Sequence, residues 1–266
     1  MNEKNFDYLK EQVKFTGFGE GMENALKDKM QKGETDFTLK HNVRYGADFV
    51  EATLNFKKSD QSDMYFFNSY NMSVEKEQSK EKLTQTFYIN KDNNITAKEA
   101  YNLMEGRAVN KDLKNKDGEL YNAWIKMDFK EADDKGNFKL NHYHQNYGFD
   151  LESSLAKHPI KELQNEKFKD DLLSSLKKGN VQSVTFNIDG GEKKHYVEAN
   201  PQFKIVNVYD GGMQRINNRE TKTQKESTSE EKSVDKGAKH RQENDTGSPE
   251  LGDKAKRPKS RKSQSI

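Results

Sequence analysis

Short runs of alternating apolar and polar residues, joined by connections of a few residues, constrain this fold more than any other feature. The alternation covers residues 37–43 and 50–56, and the Tyr45-Gly46-Ala47 connection between them is short enough for a hairpin. The runs MYFFNSYNMSV and LTQTFYI follow at similarly short intervals. Because parallel strands need a crossover of about a dozen residues, these runs predict an antiparallel meander of about four strands.

Two short helices are predicted before the meander, in residues 1–33. Each has an apolar stripe at helical spacing: Phe6, Leu9 and Val13 in the first, and Met22, Ala25, Leu26 and Met30 in the second. TGFGEG separates the helices, and Gly33 ends the second. The chain is therefore expected to be α+β, with mainly antiparallel sheet and short helices, folded as one region over residues 34–217 after this helical start.

Two later passages, residues 96–129 and 165–203, share one order of elements: helix, terminal glycine, strand, Asp-Gly turn and strand. In the first, Thr96 and Glu99 are spaced as a capping box. In the second, Asn165 is the candidate cap of a helix that carries Phe168, Leu172 and Leu176 on one face. A further strand is predicted over residues 138–149.

The glycines of the two passages keep nearly constant spacing. The helix-ending Gly106 and Gly179 lie 73 residues apart, and the turn glycines Gly118 and Gly190 lie 72 apart. One interpretation is a degenerate internal repeat of a helix–hairpin unit. The other is a coincidence, because such units are common.

Residues 218–266 have almost no apolar side chains and no periodicity, so a disordered tail is expected. Residues 219–266 carry 13 Lys+Arg and 9 Asp+Glu, against 33 and 35 in the rest of the chain. The tip is basic without an acidic neighbour: Lys254, Lys256, Arg257, Lys259, Arg261 and Lys262. Six such charges could attach weakly to nucleic-acid phosphates without reading sequence, or could simply solubilise the end of the chain.

Several classes of function are disfavoured by what the sequence lacks. Without cysteines there is no disulfide, thiolate catalysis or thiolate zinc site. No apolar run reaches about 18 residues, and MNEKNFDYLKEQ lacks the layout of a signal peptide, so a cytoplasmic protein with no membrane partner is expected. No carboxylate pair or nucleophile elbow stands out, so neither a catalytic residue nor a cofactor is predicted.

Two aromatic residues are the candidate binding residues of the folded region. Trp124 lies beside Lys126 on the polar face of its predicted strand, and Tyr196 lies at the equivalent place of the second passage beside Lys194. Such aromatics can stack on nucleic-acid bases or anchor a partner protein. Alternatively, the helix that precedes each hairpin covers them.

Two further features have a functional and a structural interpretation. His142 and His144 lie on one face of a predicted strand, but no third ligand is identifiable, so no metal site is predicted. The glycine-rich stretch YDGG, residues 209–212, could hold a phosphate if a helix followed it, and none is predicted there. A turn in which glycine supplies a positive φ is the preferred interpretation.

Four segments, SDQSDMYFFNSY, ITAKEAYNLMEGRAVNKDL, HQNYGFDLE and EANPQFKIVNVYDGGMQRINNR, resemble a family of uncharacterised bacterial proteins of conjugative transposons and related mobile elements. Members carry a domain of unknown function that also occurs near or fused to DNA-processing proteins. The resemblance covers residues 1–218 and brings no known active site. It implies a cytoplasmic accessory protein of an element that moves DNA, with DNA or a DNA-transfer complex as partner.

The leading hypothesis is a non-enzymatic binding or adaptor module whose polar sheet face and basic tail engage DNA or a nucleoprotein complex. The second hypothesis is a protein–protein adaptor without affinity for nucleic acid, which the slightly acidic folded region favours. A metal-dependent enzyme that uses His142 and His144 is the third.

Overall fold

The computed structural model describes residues 1–77, 82–90, 93–188 and 190–216, whose strands form three antiparallel sheets. With their short helices, these sheets confirm the predicted α+β class. The chain divides into two units, Met1–Ser229 and Glu230–Ile266, and the described residues all belong to the first. The tail, including its basic tip, lies outside the described residues.

The described helices are α1 (Glu3–Val13), α2 (Glu23–Gln31), α3 (Ala97–Met104), α4 (Leu151–Leu155) and α5 (Glu166–Lys177). The described strands are β1 (Asp36–Tyr45), β2 (Asp48–Lys58), β3 (Tyr65–Glu75), β4 (Lys82–Tyr88), β5 (Val109–Lys114), β6 (Leu120–Ala132), β7 (Phe138–His144), β8 (Gln182–Ile188), β9 (Gly191–Asn200), β10 (Ile205–Tyr209) and β11 (Arg215–Ile216). None of the helices in this part of the chain combines the length and apolar character that crossing a lipid bilayer requires.

Sheet A is the predicted meander, with strand order β1-β2-β3-β4. Alternate residues of β2 point to one face, where Val50 and Leu54 are fully buried. The stripes of α1 and α2 pack into the same core, represented by Leu9 and Leu26. The N-terminal helices therefore share a hydrophobic core with sheet A.

Sheet B, with order β5-β6-β7, lies between two hydrophobic cores. On β6, Ala123, Ile125 and Met127 face the first core, which they share with sheet A. Trp124 points the other way into a second core, built with α4, α5 and sheet C. Sheet C has the order β8-β9-β10-β11.

The two helix–hairpin units share strand register as well as element order, and the internal repeat stays an interpretation. Val109 pairs with Ile125 in the first unit and Gln182 pairs with Val197 in the second. In each pair, the first residue lies three positions after the helix-ending glycine and the second lies seven after the turn glycine. Matching registers place the aromatic Trp124 of the first unit at the position of the second unit's aromatic.

The ends of the two helices are also equivalent and contact each other. The Arg107 N–H donates to Asn102 O in α3, and the Asn180 N–H donates to Ser175 O in α5, so each donor lies five residues after its acceptor. The buried Asn102 amide then donates to Lys178 O at 2.7 Å. This bond joins the C-terminal end of α3 in the first unit to the C-terminal end of α5 in the second.

Two details of the predicted elements are wrong. The strand predicted over residues 138–149 ends at His144, because Gln145–Tyr147 form a 3₁₀ turn and Gly148 takes a φ of 79°. Phe168, predicted on the buried face of α5, is 56% exposed, because it lies in the first turn and Leu172 and Leu176 occupy the second core instead. The short helix α4 is not anticipated by the periodicity.

Candidate functional site

Trp124 is buried in the second core, with 7% of its surface exposed. Phe149 packs edge-on against its ring at 5.3 Å. Little of the ring surface is open to a nucleic-acid base, and the role of Trp124 in binding stays a prediction. The cover is not the preceding helix α3, as the alternative supposed, but Phe149 and residues of α4 and α5.

The other predicted binding residues of the folded region lie on the polar faces of sheets B and C. Tyr196 is half-buried, and the Lys194 ammonium lies 5.1 Å from its ring centroid. Lys126 donates to Gln202 Oε1 at 3.4 Å, and partial burial lowers the pKa of its ammonium. The structure does not bring Lys126 and Lys194 into one contact network within the described residues.

The two candidate metal ligands, His142 and His144, lie on one face of β7 with ring centroids 6.4 Å apart. Tyr121 stacks on His144 at 5.0 Å. Within the described ranges, no cluster of three histidine or carboxylate side chains is placed to hold a metal ion. His195, another histidine of the folded region, is buried, and its ring stacks on Phe186 at 4.3 Å.

The glycine-rich stretch forms the turn between β10 and β11. Asp210 Oδ1 accepts from the N–H groups of Gly212 and Gln214, each at 2.9 Å. The positive φ belongs to Met213, at 63°, so the prediction that glycine supplies it here is wrong. The turns at Asn115 and Asp133 have the same hydrogen bonds but place a glycine at this fourth position.

Met213→Gly should therefore raise the free energy of unfolding by about 1 kcal/mol, because glycine adopts a left-handed backbone without a Cβ clash. The Met213 side chain is 50% exposed, so little packing is lost. Urea denaturation of the full chain measures the change. The reciprocal Gly136→Ala, at the equivalent place of the β6–β7 turn with a φ of 80°, should destabilise by a similar amount. Destabilisation by both substitutions would contradict the assignment of strain to Met213.

The side chains on either side of this turn join a polar network on sheet C. The Tyr209 hydroxyl donates to Glu198 Oε1 at 2.8 Å, and Arg215 donates to Asn207 Oδ1 at 2.8 Å. Asn207 in turn donates to Glu198. Partial burial, reinforced by the Glu198 carboxylate, raises the pKa of Tyr209 to about 12. The stretch therefore anchors β11 to β9 and β10, which is a structural role.

Alkaline pH should weaken this network. An unfolded tyrosine loses its proton near pH 10, whereas folded Tyr209 holds its proton to a pKa of about 12. The stabilising contribution is present below pH 10 and is lost as pH rises through the folded pKa, because the unfolded state ionises first. Thermal unfolding between pH 9 and 12 should show a shallower fall in Tm for Tyr209→Phe than for the parent. Tyr8→Phe, at an exposed tyrosine, should keep the parent slope; equal slopes in all three would contradict this account.

A cleft of about 670 Å³ lies between sheet A and the inner face of sheet B. We call it the β4–β7 cleft. Its floor and walls are mostly apolar and aromatic, including Phe87, Tyr88, Leu113, Tyr121, Leu140 and His142. The volume falls in the range of about 300–1,000 Å³ that is common for ligand pockets.

Side-chain amides close both flanks of the cleft. The Gln85 amide donates to Phe138 O at 3.2 Å and accepts from Phe138 N at 2.8 Å. Asn93 does the same for Lys114, at 2.9 and 2.8 Å. Each amide therefore satisfies a backbone residue at the edge of sheet B, as a neighbouring strand would.

The free edges of two strands border the cleft. Phe138 bonds Gln85 with both backbone groups, so those groups point away from β6, and those of Leu140 and His142 point the same way by alternation. Thr86 of β4 likewise directs its N–H outward, to Asn137 Oδ1 at 2.9 Å. Partial burial lowers the pKa of His142, and His144 lowers it further, so this imidazole is neutral near pH 7.

Sequence patterns did not identify this cleft. Gln85 and Asn93 look like ordinary polar positions of a strand and a loop, and Tyr88 looks like the end of a strand. Their roles depend on where β4 meets β7, and those strands are about 50 residues apart in the chain. No short stretch of sequence indicates that two strands so far apart in the chain come into contact.

Comparisons with protein-family models, with curated proteins and with solved structures give no match to this chain. The resemblance to mobile-element proteins stays a prediction. A functional assignment therefore depends on the geometry and chemistry of the β4–β7 cleft and the surfaces around it.

Proposed function

We propose that this protein is a non-enzymatic adaptor that holds an extended polypeptide segment of a partner in the β4–β7 cleft. The observation that carries the proposal is the combination of an apolar cleft of about 670 Å³ with the outward backbone groups of β7 at its border. An added strand could bond those groups while its alternate side chains enter the cleft.

The Gln85 amide indicates the mode of binding. It already pairs with Phe138 as one peptide group of an added strand would pair. The next outward backbone groups along β7 belong to Leu140 and His142, and both residues line the cleft. A bound segment would continue this ladder by two further positions, with its apolar side chains against Ile125 and Leu113.

The charge at the cleft border supports a polypeptide rather than a nucleic acid as the ligand. Among the described residues, Glu131 and Asp133 line the border together with one ammonium, that of Lys139. Lys139 is already paired with Glu131 at 2.7 Å. A phosphate backbone would meet net negative charge here, whereas an uncharged extended segment would not be repelled.

The mobile-element hypothesis fits the same proposal with a different surface. DNA or a DNA-transfer complex would contact the polar face of sheet C, where Lys194 and Tyr196 are accessible, together with the basic tip of the tail. The adaptor would then connect a partner polypeptide to a DNA-processing assembly. The partial exposure of the Tyr196 ring is the observation that favours this second function.

The cleft is tested with random nine-residue peptides displayed on phage and selected on the full chain. The selected peptides, synthesised with a fluorophore, should bind with alternating apolar positions. His142→Pro removes one outward N–H of β7 without removing a bond to β6, so it should weaken binding on the order of tenfold. Fluorescence polarisation measures the affinity, and thermal unfolding checks that the variant folds.

His144→Pro is the matched control, because it makes the same change at the next outward position, beyond the residues that line the cleft. Its affinity should stay within about twofold of the parent. Equal affinities of the parent and His142→Pro would contradict the proposal. Labelled single- and double-stranded DNA are titrated in the same assay across a salt series. Tighter binding of DNA than of any selected peptide would instead favour the nucleic-acid function.

A further inference from the structure

A second cleft, of about 500 Å³, lies on the opposite face of sheet B from the β4–β7 cleft. We call it the Trp124 cleft. Its walls come from β5, β6, the segment after β7, α4 and α5, and they include Asn110, Asp112, Asn122, Phe149, Glu152 and Lys177. The two clefts share no lining residue, because alternate residues of β5 and β6 point to opposite faces.

The Trp124 side chain supplies the first indication of a ligand. More than nine-tenths of the residue is buried, yet its ring lines the cleft. Within the described residues, the indole N–H of Trp124 has no hydrogen-bond partner. The indole nitrogen is also absent from the set of solvent-inaccessible polar atoms without a partner, so it keeps some accessible surface. Buried indole N–H groups usually find an acceptor. A ligand that brings a hydrogen-bond acceptor into the cleft would give the Trp124 indole N–H a partner.

The charge of the cleft supplies the second indication. Of the described residues that line it, three are carboxylates, Asp112, Asp150 and Glu152, and one is an ammonium, Lys177. Their present partners leave oxygen atoms available: Asn122 donates to Asp112 Oδ1, Ser153 N–H donates to Asp150 Oδ1, and Lys169 lies 3.1 Å from Glu152 Oε1. The cleft therefore favours a cation.

The second helix–hairpin unit has a cation next to its aromatic at the equivalent position. There the Lys194 ammonium lies 5.1 Å from the Tyr196 ring centroid, from two residues earlier on the same strand. The first unit has the neutral Asn122 at the position of Lys194. It also has Asp112 where the second unit has the uncharged Thr185. The first unit thus has no lysine two residues before its aromatic, where the second unit has Lys194; its own lysine, Lys126, comes two residues after the aromatic. It also carries the Asp112 carboxylate, which could pair with the cation of a ligand.

We propose that the Trp124 cleft binds an arginine side chain of a partner polypeptide. The planar guanidinium can pair with the Asp112 carboxylate while lying against aromatic surface from Phe149 and Trp124. The backbone carbonyl beside the arginine accepts from the Trp124 indole N–H. This site does not depend on the function of the β4–β7 cleft, and either can fail without the other.

The single tryptophan of the chain makes the test direct. The ¹H–¹⁵N signal of its indole is followed in the full chain during titration with acetyl-Gly-Arg-Gly-amide. A second titration uses the citrulline peptide, which has nearly the same shape but no charge. The arginine peptide should shift the signal saturably at millimolar concentration, and the citrulline peptide should bind about two- to fivefold more weakly.

Asp112→Asn separates charge from shape, because asparagine keeps an oxygen acceptor for Asn122. It should remove most of the preference for arginine over citrulline. Asp134→Asn, at an exposed carboxylate in the β6–β7 turn outside the cleft, should leave the preference unchanged. An indole signal that does not move with either peptide overturns the proposal. So does equal saturation by both peptides, or a preference that Asp112→Asn leaves intact.

Discussion

Replacing Gly179 by alanine should lower the free energy of unfolding by about 2–4 kcal/mol, since two costs combine at this position. Gly179 ends α5 with a φ of 81°, which an L side chain rarely adopts. A Cβ would also lie 3.0 Å from Ala108 O and from a methyl of Val109, and 3.1 Å from the Cβ of Asn102. Those atoms belong to the first helix–hairpin unit, so relief requires the two units to move apart.

Gly106→Ala is the matched control, because Gly106 ends α3 in the equivalent position with a φ of 76°. Its added Cβ would meet the Phe129 ring edge at 3.5 Å, an ordinary contact. Gly106→Ala should therefore lower the free energy of unfolding only by the cost of placing an L residue in a left-handed backbone conformation, about 1 kcal/mol. Urea denaturation of both variants measures the difference. Equal costs would show that the close approach at Gly179 does not contribute to stability.

Phe186→Ala should destabilise the protein by about 3–5 kcal/mol, the range for truncating a fully buried aromatic. Phe186 has no exposed surface and lies in the second core. The His195 ring stacks on it at 4.3 Å and the His158 ring at 5.9 Å. Truncation leaves a cavity bordered by two imidazoles, which the β-sheet around it cannot collapse to fill.

Trp124 reports on this experiment, because it is the single tryptophan and lies in the same core as Phe186. Its fluorescence during urea denaturation gives the midpoint for the parent and the variant. Phe203→Ala removes the same atoms from a position that is 63% exposed and should cost less than about 0.5 kcal/mol. A similar small cost at Phe186 would contradict its assignment to the second core.

The two candidate clefts differ in how far the sequence anticipated them. The strand pattern places Trp124 on the face opposite Ala123 and Ile125, and the structure has it there, but its burial does not follow from that pattern. Phe149 covers it because the chain leaves β7 at His144, and that exit depends on the left-handed Gly148. No sequence pattern indicates that any residue lines the β4–β7 cleft.

Local chemistry determined most of the elements. Alternation at period two places the strands of sheet A, and the capping box at Thr96 is present as its spacing predicts. The equivalent glycines of the two helix–hairpin units accompany equivalent strand registers. These features arise from hydrogen bonds and side-chain directions within a few residues. Short connections then limited the strands to antiparallel pairing, so the α+β class followed from the sequence by itself.

Tertiary structure decided which faces and edges became sites. Sheet B is apolar on one face and carries Trp124 on the other, and only the placement of sheet A and of helices α4 and α5 shows that both faces border clefts. The amides of Gln85 and Asn93 found backbone partners about 53 and 21 residues away. Packing of distant elements is set by the sum of many weak contacts, and no single stretch of sequence contains that sum.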